Sequence, residues 1–205
     1  LCNGVMAVTG WALLPIINGE VKDSFKSLAV KKGDQLKFKP TQTGCRSYLA
    51  LAGGIQAQTF MGSSSVDLKG KLGRPLKAED VLGTAQAATP YPGHHFIPYR
   101  PQTKMLRIRK GPQANPEALA GLTSSDFTVG SADRMGIRFE GPGISGGEVL
   151  SEATPLGAIQ VTPGGLPILL LNDRGTLGGY AKPALLDSRD LGRAAQLRPG
   201  QKVRF

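Results

Sequence analysis

Ala29-Val-Lys-Lys-Gly-Asp-Gln-Leu-Lys-Phe38 and Gln196-Leu-Arg-Pro-Gly-Gln-Lys-Val-Arg-Phe205 are two versions of one phrase. Each places an apolar residue before two basic or turn residues, then Gly, then an alternating run. Leu76-Lys-Ala-Glu-Asp-Val-Leu82 is a third, weaker echo. Physically, each is a turn that delivers a closing strand with one face buried and one basic face in water. Repetition of such a unit predicts two related β-lobes. Pro98, Pro101 and the polar residues around them read as the link, so the expected domains are 1–103 and 104–205.

The rest of the chain supports strands over helices. Val5–Val8 precedes Thr9-Gly10, Leu13–Ile17 precedes Asn18-Gly19, and Ser47–Ala52 precedes Gly53-Gly54. Apolar runs therefore end repeatedly at dipeptides that tolerate positive φ. Leu166-Pro-Ile-Leu-Leu-Leu171 is apolar throughout, which suits a strand buried on both faces. With 28 Gly and 15 Pro spread along 205 residues, long helices are disfavoured. Short helical pieces are expected at Pro116–Leu122, with Pro in the first turn, and at Ser188–Leu197, with Ser188 as cap.

Composition narrows the function. The 25 Lys and Arg against 15 Asp and Glu give a formal charge of +10, but 12 of these cations lie before residue 101 and 13 after it. No basic block forms and aromatics are only 6%, so nucleic acid is not the expected partner; an anionic substrate or acidic partner suits the charge better. Cys2 and Cys45 make no disulfide framework, and the two histidines, His94 and His95, are adjacent, so no Cys/His zinc site and no other metal site is expected. Cys45 reads as a small core residue rather than a nucleophile. No stretch approaches the ~18 apolar residues of a membrane span, and no basic leader precedes the opening run. The chain reads as reduced, cytoplasmic and membrane-free. Leu1, already inside an apolar run, reads as an internal start.

Three segments carry candidate chemistry. Asn172-Asp-Arg-Gly-Thr-Leu-Gly-Gly-Tyr-Ala-Lys182 follows the buried run with an acid, a guanidinium, glycines, a phenol and an ammonium, the inventory for orienting a carboxylate or phosphoryl group. The bland alternative is an Asp173–Arg174 turn. Gly62-Ser-Ser-Ser-Val-Asp67 offers hydroxyl donors from Ser63 and Ser65, or simply a capped turn. Ser131-Ala-Asp-Arg-Met-Gly136 reads alone as a turn before an edge strand, although Asp133 and Arg134 could frame a polar substrate. Phosphate-loop, dinucleotide, nucleophile-elbow and His-Glu-x-x-His motifs are absent, as is any biotin-carrying Ala-Met-Lys-Met turn.

At these segments the chain resembles a known family: the C subunit of bacterial 5-oxoprolinase, also called allophanate hydrolase subunit 2, within the biotin-dependent carboxyltransferases (KipA-like). Arg46–Ile55, Met61–Leu68, Asp133-Arg-Met-Gly136 with Glu140-Gly141, Leu150–Val161, Asn172–Lys182 and Leu197-Arg-Pro-Gly200 carry the resemblance in order along nearly the whole chain. It implies a mainly β fold of two cyclophilin-like β-barrel lobes with a few short helices, the first lobe lacking its N-terminal strands. It also implies partnership with the KipI-like B subunit of 5-oxoprolinase, related to a sporulation kinase inhibitor, and with the A subunit. The implied activity is ATP-dependent opening of 5-oxoproline to glutamate by the complex, with this chain inactive alone. ATP is expected to be bound with these partners, without covalent biotin on this chain. Alternatives are a carboxyltransferase acting on urea or another small amide with carboxybiotin, and a non-catalytic regulatory binding subunit that antagonises a kinase inhibitor. The implied site assigns Asp173 and Lys182 to catalysis. Arg174, Gly178, Gly179, Tyr180, Asp133, Arg134, Met135, Ser63 and Ser65 are assigned to substrate binding.

Overall fold

The three echoed phrases fold into one and the same turn. In each, the fourth residue's backbone N–H donates to the first residue's carbonyl: Asp34 to Lys31 at 3.1 Å, Asp80 to Lys77 at 3.3 Å and Gln201 to Arg198 at 3.1 Å. The fourth side chain returns to accept the first residue's N–H, at 2.7 Å for Asp34, 2.7 Å for Asp80 and 2.8 Å for Gln201. The third residue is left-handed in all three, with φ of 94° at Gly33, 67° at Glu79 and 84° at Gly200. Glycine takes this conformation without steric cost, which is why the two stronger echoes carry it.

These turns lie in a computed structural model that describes residues 3–68, 70–85, 93–96 and 105–205. Two compact units divide the chain: Leu1–Pro40 with Ser47–Ile97, and Thr41–Arg46 with Pro98–Phe205. The expected link at 98–103 lies outside the described residues.

The first unit holds β1 (Gly4–Gly10), β2 (Leu13–Ile17), β3 (Glu20–Val21), β4 (Ser27–Val30), β5 (Leu36–Pro40), β6 (Ser47–Leu51), β7 (Ile55–Gln56) and β8 (Gly83–Thr84). They form antiparallel sheets β4-β1-β6 and β3-β2-β5 and the pair β7-β8. Met6, Val8 and Ile17 are its buried centre, packed by Leu28, Val30, Leu36 and Leu51.

The second unit holds β9 (Ile108–Lys110), helix α1 (Pro116–Ser124), β10 (Phe127–Ala132), β11 (Gly136–Glu140), β12 (Glu148–Ala153), β13 (Ala158–Val161), β14 (Pro167–Leu170), β15 (Leu177–Tyr180) and β16 (Ala184–Leu186). A single 3-10 turn (Ser188–Asp190), the short helix α2 (Leu191–Ala194) and β17 (Lys202–Val203) complete it. Seven strands form one antiparallel sheet, β17-β10-β11-β14-β13-β16-β9, curled into a half-barrel. Its ends are tied by a parallel bridge between Met105 and Arg204, with Leu106 N–H donating to Arg204 O at 2.8 Å. On β11, buried Ile137 and Phe139 alternate with exposed Arg138 and Glu140, the pattern of a strand with one face inside. Every β13 residue is buried. Phe127, Phe139 and Phe205 meet with ring centroids 5.3 to 6.5 Å apart, two pairs edge-on or nearly so. Helix α1 adds Ala118 and Leu122; the Asn115 side chain caps it by accepting from Ala118 N–H at 2.8 Å, and Pro116 opens its first turn.

The chain is mainly β with a few short helices, as expected from its sequence. Three local readings are corrected. The 3-10 turn is capped by Asp187, whose carboxylate accepts from Arg189 N–H, and not by Ser188. The buried strand starts at Pro167, because Leu166 is exposed in the loop before it. Cys45 is exposed, its thiol donating to the Ala195 carbonyl at 3.3 Å, so it is not part of a core. Among the described residues no helix is long and apolar enough to cross a membrane.

The 3-10 turn anchors the β9 edge. Asp190, fully buried, accepts from Arg107 N–H at 2.9 Å, from Arg107 Nε and Nη2 at 2.8 Å each, and from Arg193 Nη1 at 2.6 Å. These donors, chiefly Arg107, hold its carboxyl well below the usual carboxylate range. Its folded-state pKa is thus depressed, so the stability it contributes is complete above the unfolded carboxyl's ~3.9 and lost as pH falls below that value. We expect Asp190→Asn to lower the melting temperature by a constant amount from about pH 7 to 5, the deficit shrinking as pH drops below ~4. Melting curves of both proteins across that range check this. In the same unit, Phe139→Ala should cost about 3–5 kcal/mol of unfolding free energy by urea titration, because the ring is fully enclosed.

Candidate functional site

Between β15 and β16 the chain passes from the ribbon β12-β15 into the curled sheet, and Lys182 is carried inside at this crossing. Its side chain is 1% exposed. Nζ stands 2.8 Å from Glu152 Oε1 in an ion pair, and among the described residues no further acceptor meets the other protons of the ammonium. Gln113 clamps both partners: its Nε2 donates to Glu152 Oε1 at 2.7 Å, its Oε1 accepts from Lys182 N–H at 3.0 Å, and its N–H donates to Lys182 O at 3.3 Å. Lys182 first, and Gln113 second, hold the Glu152 carboxyl below its ordinary value. Glu152 is 42% exposed, so a solvent-facing carboxylate stands in front of a buried ammonium. Gly111 permits the crossing, since a Cβ there would lie 2.1 Å from Lys182 O.

The ribbon continues the site. Gly178 is paired with Glu152, and a Cβ on it would come within 2.6 Å of Gln160 Nε2 and 3.0 Å of Thr154 Cγ2. Gln160 is buried and its Nε2 reaches Tyr180 O at 3.5 Å. Gly179 lies across from Val149, its Cβ position 3.3 Å from Val149 O. Thr154, also buried, gathers the loop before β15: its hydroxyl donates to Gly175 O, its N–H donates to Thr176 O at 3.0 Å, and its carbonyl accepts from Arg174 Nε at 2.6 Å.

Arg174 therefore faces carbonyls, with Nη1 also on Leu171 O at 3.4 Å, and only Nη2 is unused. The Asp173–Arg174 turn pairing is not formed. Asp173 instead takes Arg134 in a fork, Nε to Oδ2 at 2.7 Å and Nη2 to Oδ1 at 3.1 Å, while Asp173 N–H donates to Arg134 O at 2.9 Å. Asp133 turns inward on its own loop, Oδ1 accepting from Met135 N–H at 2.7 Å and Gly136 N–H at 3.0 Å, while its carbonyl accepts from Arg46 Nη2 at 2.7 Å. Met135 O accepts from Leu171 N–H at 2.8 Å, so the two loops are zipped together.

Asp133, Arg134, Met135 and Asp173 thus form one cluster, while Lys182, Gly178 and Tyr180 belong to the Glu152–Gln113–Gln160 group. Ser63 and Ser65 lie in the first unit, lining a cavity of about 550 Å³ with Ser64, Lys71, Arg74 and Asp80. Ser63 Oγ accepts from Ser65 N–H at 3.2 Å, the capped turn anticipated from sequence. Arg74 forks onto Asp80 and holds its carboxyl down to about 2. Among the described residues no group of three or more His, Cys, Asp or Glu is poised to hold a metal.

Glu152, Gln113, Gln160 and Thr154 carry no signal in the sequence that marks them as site residues. Gln113 follows Gly111-Pro112, and Glu152 sits inside Leu150–Val161, but contacts spanning 39 and 69 residues leave no local spacing to read.

Residues 1–205 match the family described as "Carboxyltransferase domain, subdomain A and B". The chain is 34% identical over 189 residues to the C subunit of the 5-oxoprolinase of Escherichia coli (strain K12), covering 87% of this chain and 61% of that protein. It is 29% identical over 237 residues to the urea amidolyase of Lachancea kluyveri, covering 98% of this chain and 13% of that one. Among solved structures, TTHA0988 superposes with a TM-score of 0.94 at 46% identity, over all of this chain and 42% of that one. The K. lactis urea amidolyase superposes with 0.85 at 26%, over all of this chain and 14% of that one. The chain thus spans less than two thirds of the length of each of these relatives.

Two substitutions test the local architecture. Gly178→Ala should destabilise the second unit by about 1–3 kcal/mol in denaturant titration, because Gln160 and Thr154 must both give way. Arg174→Lys should lower the melting temperature, since an ammonium cannot span the Thr154 and Leu171 carbonyls as the guanidinium does.

Proposed function

The chain belongs to the carboxyltransferase domain family, subdomains A and B, and we propose that it serves as the C subunit of an ATP-dependent 5-oxoprolinase, working with the A and B subunits. The observation that carries the site is the buried Lys182 ammonium, paired with an exposed Glu152 and, among the described residues, without an acceptor for its remaining protons. A buried donor left unfilled is costly, and a ligand carbonyl or carboxylate oxygen would fill it.

In the proposed reaction the lactam of 5-oxoproline is cleaved by water. Water oxygen bonds to the carbonyl carbon, the C–N bond breaks, and the nitrogen gains a proton to give glutamate. Lys182 donates to the carbonyl oxygen or substrate carboxylate, and Asp173 orients the lactam N–H or the attacking water. Arg174 contributes Nη2 to the anionic group, the glycines at 178 and 179 let backbone approach, and Tyr180, Asp133, Arg134 and Met135 frame the substrate. In the same cycle ATP would be cleaved by a second water to ADP and phosphate with the partner subunits, which would offset the cost of opening the ring. Arg134 is taken by Asp173 and Arg174 largely by carbonyls. These prior commitments do not suit a triphosphate and support binding of ATP with the partner polypeptides.

The match of nearly the whole chain to urea amidolyases favours a second reading, transfer of a carboxyl group from carboxybiotin to urea or a similar amide. The same donor from Lys182 would then steady the carboxylate in transit.

Assays of 5-oxoproline-dependent ATP hydrolysis with the A, B and C subunits together, and with each omitted in turn, test the first reading. We expect turnover only with all three; turnover by this chain alone, or undiminished turnover without it, defeats the proposal. In the complete mixture, Lys182→Met and Asp173→Asn should each lower kcat on the order of 10²-fold or more while the fold survives. Urea-dependent consumption of carboxybiotin without 5-oxoproline turnover would favour the second reading.

A further inference from the structure

Four arginines scattered in sequence converge around the 3-10 turn. Arg107 and Arg193 meet Asp190, while Arg109 and Arg189 meet Asp187. Arg109 reaches Asp187 Oδ2 with Nε at 3.1 Å and Nη2 at 2.9 Å; Arg189 takes Oδ1 with Nε at 2.9 Å and Oδ2 with Nη2 at 3.0 Å. Both carboxylates are almost wholly enclosed, at 0% and 4% side-chain exposure, whereas Arg107, Arg109 and Arg189 are 45, 69 and 66% exposed.

A buried carboxylate needs a cationic partner, and one forked arginine per aspartate would supply it. Here each aspartate has two. The cluster thus carries two surplus positive charges, and Arg107 stands close enough to Arg189 for their charges to oppose one another. Arg107, Arg109 and Arg189 each use Nε and Nη2 on the carboxylates, and among the described residues their Nη1 groups have no partner. Exposed Lys110 on the same edge strand adds to the charge. Stability alone does not call for this surplus.

We propose that Arg107, Arg109, Arg189 and Arg193 form a docking surface for a carboxylate-rich segment of a partner polypeptide. Because the aspartates already hold the guanidinium groups in place, little side-chain freedom remains to be lost on binding. Free Nη1 edges suit carboxylates. The segments 107–110 and 187–193 carry no aromatic on which a base could stack, which disfavours single-stranded nucleic acid. The groups stand on an open face, where a small lone anion would stay hydrated.

The test is fluorescence anisotropy of a labelled octaglutamate peptide with the full chain at low and at ~0.3 M salt. Arg109→Gln with Arg193→Gln leaves one arginine on each aspartate and should weaken binding about tenfold or more. Lys37→Gln with Lys39→Gln, on β5, removes the same charge and should change it less than about twofold. Equal losses in the two variants, absence of binding, or tighter binding of oligothymidylate at the same residues each overturn the proposal. Should the arginine variant unfold, hydrogen exchange of the unaltered chain decides: protection by the peptide is expected at 107–110 and 187–193, and protection elsewhere or nowhere overturns it.

Discussion

A seven-stranded sheet has two edges that cannot be left bare, and the second unit is organised around joining them. Strand β17 at one end and the segment leading into β9 at the other meet through Met105 and Arg204. The residues flanking that bridge, Leu106 and Phe205, are buried, so closing the edges also completes the core against Phe127 and Phe139. Removing exposed edges in this way meets the same demand that full barrels meet. Asp187 and Asp190 secure the β9 side with backbone as well as side chains: Asp187 N–H donates to Arg107 O at 2.8 Å, and Asp190 accepts Arg107 N–H. The two buried carboxylates thus belong to the closure before they belong to any surface.

Closure also explains where polar groups accumulate. The ribbon β12-β15 pairs outside the seven-stranded sheet, and the chain must return from it to β16 through Ala181, Lys182 and Pro183. At that crossing the backbone is held on both sides, by Ala181 N–H on Gly147 O at 2.9 Å and Gly111 N–H on Pro183 O at 2.8 Å. Lys182 is enclosed at this crossing, its side chain 1% exposed. Glu152 and Gln113 are the groups the fold places within its reach, and both come from elements distant in sequence.

What can be read from the residues alone follows this division between local and long-range causes. The echoed turns are legible because each is specified within four residues: a left-handed position that prefers Gly and a side chain at the fourth place that returns to the first backbone N–H. Strand runs at Leu13–Ile17 and Ser47–Leu51 are legible from apolar runs stopped by Asn18-Gly19 and Gly53-Gly54. Ser188 resembles a cap but yields to Asp187, which one residue earlier offers a stronger acceptor and is drawn inward by Arg109 from β9 as well as by Arg189 of the same turn. Cys45 resembles a core residue but stays outside because its neighbour Arg46 binds Ala195 O and Asp133 O, fixing that loop by polar contacts rather than burial. The arginine convergence is invisible in the sequence, since partners 78 and 83 residues apart leave the linear charge distribution looking even.

The polar clusters differ in what remains for a ligand. Arg134 and Asp173 satisfy one another in an exposed fork, a contact of small net worth that water can replace. Asp133 is filled by its own loop. Lys182 is the reverse case: enclosed, paired with Glu152, and among the described residues without a second acceptor for its remaining protons. Burial makes an unfilled donor far more consequential than an exposed one, because no water stands ready to complete it. A substrate oxygen brought beside Glu152 would meet a donor already held in position by Gln113. Asp173, by contrast, would have to release Arg134 before it could orient anything. On the proposed reading, the energetic burden of engaging a ligand therefore falls least on Lys182, and recognition would begin there.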